Sequence, residues 1–308
     1  MPKFPKVIVI VGPTCSGKTE VAISVAEKFP SEIISADSRQ VYKYLTIGTA
    51  KPTPEEIQKV EHHFVDFLNP DENYNVSKFE KDVLKKIDKL HKNNKIPIVV
   101  GGSGLYIRAV VDGIFDIVDT DEDYRTKLME EKEKYGNEFL YEKLKKVDSK
   151  SVENLIPQNW KRIIRALEVY KLTGEPIWKL QKEYKRETNL NFIQYGLNWE
   201  RETLYKNIEL RVDKMIEAGL VIEVERILQL GYNKNINALN TVGYKEIIEY
   251  LDGKITLPRA IELIKRNTRR YAKRQLTWFR KDKRIKWFDV KSKNDFPKIT
   301  QSILSDIS

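Results

Sequence analysis

Cysteine is almost absent: Cys15 is the single thiol in 308 residues. That excludes an internal disulfide framework and any zinc site built on cysteines, and it fits a reducing compartment. Long hydrophobic runs are missing too. The first apolar run, Val7–Val11, has five residues, too few for a signal-peptide core or a membrane span. The expectation is a cytoplasmic chain with no membrane contact. No Gly/Ser- or Pro-rich tract is long enough for a linker, and no internal repeat is visible. His62, His63 and His91 have neither metal-ligand spacing nor nearby carboxylates in a ligand pattern, so they read as structural or surface groups. Acid also falls short of base, with 45 Asp and Glu against 55 Lys and Arg for a formal charge of +10. The shortfall is local. Arg259–Lys286 holds twelve basic and two acidic residues, whereas Asp112–Asp123 is acid-rich. Such a basic segment points to a polyanionic partner.

What is present is a globular composition, 41% hydrophobic and 32% charged, and a length that suggests about two domains. Directly after Val7–Val11 comes Gly12-Pro13-Thr14-Cys15-Ser16-Gly17-Lys18-Thr19. This is G-x-x-x-x-G-K-[ST], the phosphate-cradling turn between a buried strand and a helix. The two glycines permit torsions that let successive N–H groups converge on one anion. The following helix adds its positive end, Lys18 a mobile charge, and Thr19 a hydroxyl suited to Mg²⁺. Cys15 reads as a small side chain beneath this loop.

The periodicity alternates along the first hundred residues. Strands are expected at Val7–Val11, Glu32–Ala36, His63–Leu68 and Ile96–Val100, and helices at Thr19–Phe29, Pro54–Val60, Val76–Lys92 and Leu105–Val111. That alternation predicts a doubly wound parallel α/β sheet. From 119 to 187 strand candidates disappear, and helices are expected at Tyr124–Tyr135, Glu138–Val147, Asn159–Leu172 and Pro176–Tyr184. We read this as an all-helical insertion domain between core segments 1–118 and 188–308. The second core segment should hold a strand at Phe192–Trp199 and a helical Glu200–Leu230 broken at Gly219. A long amphipathic helix at Thr256–Phe279, a last strand at Ile285–Val290 and a terminal helix near Asp295–Leu304 complete it.

Asp37 ends the second strand, at the sheet edge where ligands gather in open α/β folds. It reads as a carboxylate holding Mg²⁺ through water, as an ordinary turn Asp, or as a group with a direct chemical role. Ser38, Arg39 and Gln40 follow it with hydrogen-bonding side chains, Gln40 suited to an adenine edge and Arg39 to a phosphate. Gly101-Gly102-Ser103-Gly104 places a further glycine turn at another strand end. Lys161, Arg162 and Arg165 cluster on one helix. On the long helix Arg266, Arg269, Arg270 and Lys273 share a face opposite the stripe Ile261, Ile264, Thr268, Tyr271, Gln275 and Trp278, with almost no local acid to compensate.

Together GPTCSGKT, ISADSRQVY, GGSGLYIRA, KRIIRALEVYKLTG, RVDKMIEAGLVIEV, NTVGYKE and RNTRRYAKRQLTWFR stand in the order seen in tRNA dimethylallyltransferases, which the chain resembles from Val7 to about Phe288. The resemblance implies a P-loop NTPase-like parallel sheet flanked by helices, with the insertion as a tRNA clamp. The implied reaction moves a dimethylallyl group from dimethylallyl diphosphate to N6 of the adenosine 3′ of the anticodon, with Mg²⁺ as cofactor and a monomeric enzyme. Gly12, Pro13, Thr14, Cys15, Ser16, Gly17, Lys18 and Thr19 would hold the diphosphate, Thr19 would ligate Mg²⁺, and Arg211 would lie on the diphosphate. Asp37 matches the general base, and Asp37, Ser38, Arg39 and Gln40 the contact with the target nucleotide. Ser103 (where the family usually has Thr), Arg125, and Lys161, Arg162, Ile163, Ile164 and Arg165 match tRNA contacts. So do Thr241, Gly243 and Lys245, and Arg269, Arg270, Lys273, Arg274 and Gln275. Three alternatives stand beside this reading: an adenylate isopentenyltransferase acting on a free nucleotide, an ATP-binding kinase or NTPase, and a nucleotide-switched RNA-binding protein.

Overall fold

The computed structural model describes residues 4–115, 120–153, 155–184 and 186–307. They fall into two compact units, one formed by residues 1–111 with 188–308 and the other by residues 112–187.

The first unit is built on a six-stranded sheet: β1 (Lys6–Val11), β2 (Ser31–Ser35), β3 (His62–His63), β4 (Ile96–Gly101), β5 (Asn191–Trp199) and β6 (Lys286–Val290). The spatial order is β3-β2-β4-β1-β5-β6, and every pairing is parallel. Parallel neighbours need crossovers, and helices supply them: α1 (Lys18–Ala26), α2 (Pro54–Lys59), α3 (Val76–Lys92) and α4 (Gly104–Asp112). Helices cover both faces, so β1 after Lys6 is apolar, and Val7–Val11 are fully buried. At ~1.5–3 kcal/mol for each buried aliphatic side chain, this strand anchors the core. Its odd residues pack with α3 and α4 on one face, its even residues with α1 on the other.

The expected strand at His63–Leu68 contracts to His62–His63. Phe64 (φ 63°) and Asp66 (φ 59°) turn left-handed, which ends the pleat. Phe67 and Leu68 then bond through their amides to the Val41 carbonyl. α2 starts as expected at Pro54; its N-cap is Thr53, whose hydroxyl accepts from the Glu56 amide while Glu56 caps back.

The second unit contains α5 (Glu122–Val147), α6 (Ser149–Val152), α7 (Trp160–Thr173) and α8 (Ile177–Glu183). α5 consists of the two expected helices meeting at Gly136, whose backbone is not helical (φ 83°, ψ 176°). Leu128, Leu140, Leu144, Ile163 and Leu167 form its core. The expected boundary after residue 118 lies outside the described residues.

After β5 come α9 (Arg201–Glu217) and α10 (Leu220–Gln229), separated at Gly219 (φ 94°), then α11 (Tyr244–Leu251), α12 (Leu257–Phe279) and, after β6, α13 (Phe296–Ile307). α11 has no counterpart among the expected helices.

Candidate active site

The ends of β1, β2 and β4 open on one cavity of about 570 Å³. Gly12–Thr19 runs from β1 into α1, with Gly17 at φ 79° as its N-cap. Three distant side chains hold this loop. The Trp199 indole donates to the Ser16 carbonyl at 2.9 Å, the Thr14 amide donates to Gln275 Oε1 at 2.9 Å, and the Phe296 ring lies where a Cβ on Gly17 would sit. Cys15 is not beneath the loop: it stands at φ 63°, lines the cavity and takes an Arg211 hydrogen bond at 3.6 Å, while Ser16 is the buried residue.

Lys18 Nζ donates to the Pro13 carbonyl at 3.2 Å. Burial and then the Arg211 guanidinium push its pKa down to about 8, against the opposing pull of Asp37 and Cys15. Two cations held together in a dry pocket destabilise each other, and a bound anion relieves both. Thr19 lines the same cavity.

Asp37 follows β2. One carboxylate oxygen accepts from the Arg39 amide at 2.8 Å and from the Gln40 amide at 3.4 Å, which sets the side chain by local turn bonds. Ser103 accepts from the Ser38 amide at 3.3 Å, and Tyr271 lines the same cavity. Burial and then the Asp37 charge push the Tyr271 phenol up to about 12. Gln40 has no free end: its carbonyl accepts from Ser35 Oγ at 2.8 Å and its amide donates to the Thr49 and Ala50 carbonyls. Arg39 reaches the Asn237 carbonyl. Thr241, Gly243, Lys245, Arg270 and Arg274 complete the basic wall of the cavity.

The rest of the basic helix is less bare than its sequence. Arg269 pairs with Glu209 at 2.5 Å and Lys265 with Asp213 at 2.6 Å, both acids on α9. Lys273 lies outside this cavity, on a neighbouring one with Arg201 and Arg280. Gln275, though, is only 6% exposed, and both ends of its amide are used inside the protein.

In the second unit, Arg125 and Arg165 converge on the buried Glu168 at 2.7 and 2.5 Å. Lys161 and Arg162 are exposed, whereas Ile163 and Ile164 turn into that unit's own core.

Tyr271, read on the stripe of the long helix, lines the cavity. Two contributors went unread in the sequence. Glu223 accepts from the Thr46, Ile47 and Gly48 amides and from the Tyr244 hydroxyl, fixing the loop after Asp37 from about 175 residues away; no local signal marks it. His62 also lines the cavity, with Nδ1 on the Val60 carbonyl at 2.8 Å and burial lowering its pKa. The adjacent Glu32, Glu61 and His63 carry a ligand-like set, but Lys86 and Lys95 occupy Glu32 as ion-pair partners, so the group is a salt-bridge network.

Residues 40–282 match the family model described as IPP transferase. A tRNA dimethylallyltransferase of Carboxydothermus hydrogenoformans is 49% identical, over 98% of this chain and 97% of its own length. The solved tRNA isopentenylpyrophosphate transferase of Bacillus halodurans superposes with a TM-score of 0.72 at 40% identity, covering 98% of this chain and 96% of that one. A eukaryotic dimethylallyltransferase solved acting on tRNA gives a TM-score of 0.80 at 30% identity, over 97% of this chain and 78% of the other. On sequence and fold alike, the chain belongs to the IPP transferase family.

Proposed function

We propose that the protein transfers a dimethylallyl group from dimethylallyl diphosphate to N6 of the adenosine immediately 3′ of the anticodon in tRNA, releasing diphosphate. The observation that carries this is the single cavity on which the phosphate loop, Arg211, Asp37 and the basic wall of α12 all open. An exocyclic adenine amine is a weak nucleophile, because its lone pair is delocalised into the ring. Asp37 takes the N6 proton as the C–N bond forms, while its other oxygen stays on the Arg39 amide. The allylic C–O bond breaks at the same centre, and the electrons leave with the diphosphate. The loop amides, Lys18 and Arg211 stabilise that developing anion. Thr19 and Asp37 are hard oxygen donors on one cavity, the donor type Mg²⁺ takes. Bound at Thr19, Mg²⁺ would neutralise charge on the leaving diphosphate.

Arg39, Lys245, Arg270 and Arg274 on the cavity wall favour an RNA over a free nucleotide, since a mononucleotide needs no such array of cations. The target base must leave its stack to reach Asp37. Lys161, Arg162 and the insertion fit the role of a clamp on the anticodon stem-loop, and a monomer suffices for it. No helix among the described residues is long and apolar enough to cross a membrane; we read the enzyme as cytoplasmic.

The test is product analysis. Dimethylallyl diphosphate and tRNA should together yield diphosphate in step with modified RNA. ATP with tRNA should yield neither phosphate nor diphosphate; ATP hydrolysis stimulated by tRNA would favour a nucleotide-driven protein instead.

Lys18 also sets a pH dependence. Its protonated form binds the diphosphate, and in the donor-free protein that form is lost as pH rises through about 8. Donor affinity should therefore weaken above that pH, and binding there should take up a proton. Titration calorimetry in buffers of different ionisation heats reads this directly. Donor affinity flat from pH 7 to 10 would show that Lys18 does not titrate in this range.

A further inference from the structure

We infer that Gln275 is a positioning residue for the phosphate loop, tying the basic helix α12 to the donor site rather than contacting RNA. Its side chain spans two strand ends. Oε1 accepts the Thr14 amide at 2.9 Å, and Nε2 donates to the Gly102 carbonyl at 2.8 Å. The side chain is only 6% exposed and each end of its amide is anchored inside the protein, so the remaining N–H and oxygen lone pair have little surface to offer a nucleic acid.

The surrounding sequence is shaped to this contact. A Cβ on Gly102 would land on the Gln275 amide nitrogen, and one on Gly104 would land on the Trp278 ring. The glycine turn after β4 is thus the seat in which α12 lies, which explains glycines that no torsion demands: neither Gly102 nor Gly104 has positive φ. On the same helix Tyr271, one turn before Gln275, and Arg274, the residue preceding it, line the cavity, with the Arg274 guanidinium 5.8 Å from the Tyr271 ring centre. The helix that presents cations to the cavity is the one that braces the loop.

The consequence concerns which loop amides are free. Thr14 N–H is turned to Gln275, while Cys15, Ser16, Gly17 and Lys18 follow it toward the start of α1. Fixing the first of these peptides pre-organises the next ones for an anion, so less ordering is left to do on binding. Without the brace the loop must be ordered by the ligand itself.

This inference rests on the proposed donor site but not on the prenyl group, so inorganic diphosphate serves as the probe. Gln275→Met keeps the side-chain volume and removes both hydrogen bonds. Relative to wild type, Q275M should bind inorganic diphosphate about tenfold more weakly, the worth of one or two net hydrogen bonds. It should raise the KM for dimethylallyl diphosphate similarly, and its Thr14 amide should exchange faster. Stem-loop affinity should stay close to wild type, and the melting temperature should fall by only a few degrees, the cost of leaving the Gly102 carbonyl unpaired. Unchanged diphosphate affinity with weakened stem-loop binding would overturn the inference and make Gln275 an RNA contact. An equal loss of both, together with a much larger drop in melting temperature, would also overturn it by showing a merely structural role. A wild-type protein that binds no diphosphate would remove the donor-site reading itself, and this inference with it.

Discussion

Asp37→Asn will bind the anticodon stem-loop with near wild-type affinity and transfer the prenyl group ~10²–10⁴-fold more slowly, the contribution expected of a positioned general base. The substitution is a clean one. Asn keeps the oxygen that accepts the Arg39 and Gln40 amides, so the turn after β2 retains its bonds. What is lost is the negative oxygen that takes the proton from N6. Because the effect lies in the chemical step, kcat and kcat/KM fall together while the KM for the donor holds. Single-turnover transfer at saturating donor measures it. Undiminished turnover would remove Asp37 as the base.

The second large effect is on RNA binding. Replacing Arg270 and Arg274 together by Ala should lower stem-loop affinity roughly 10–100-fold near 0.1 M salt. The slope of log affinity against log salt should shrink by about 1 for each arginine that contacts a phosphate. Arg269→Ala should do much less, because Arg269 is already neutralised by Glu209 on α9 whereas Arg270 and Arg274 face the cavity. Titrations of labelled stem-loop across a salt series separate the two cases. A larger loss from Arg269 than from the pair would reverse the assignment of the RNA-facing side of α12.

The first half of the fold was legible because its signals are local. The run Val7–Val11, the phosphate motif behind it and the helix that starts at Pro54 are each marked within a few residues. The same holds for the end of β2 at Asp37. Signals carried across the chain were not legible. The apolar alternation of His63–Leu68 suggested a strand, but left-handed turns at Phe64 and Asp66 divert it to pair with the segment after Asp37. On α12 the lack of acids within the helix suggested a bare cationic face, while its partners Glu209 and Asp213 sit on α9, some 50 to 60 residues earlier. Gln275 shows the same limit. The family resemblance implied an RNA contact, and only the fold brings Thr14 and Gly102 to its two ends.

The most direct test of the central claim is a paired incubation of the protein with dimethylallyl diphosphate and Mg²⁺, once with an anticodon stem-loop and once with AMP, followed by mass spectrometry of both acceptors. The account predicts that the stem-loop gains the mass of one dimethylallyl group, on the adenosine 3′ of the anticodon, and that AMP stays unchanged. Modification of AMP with an unmodified stem-loop would contradict it.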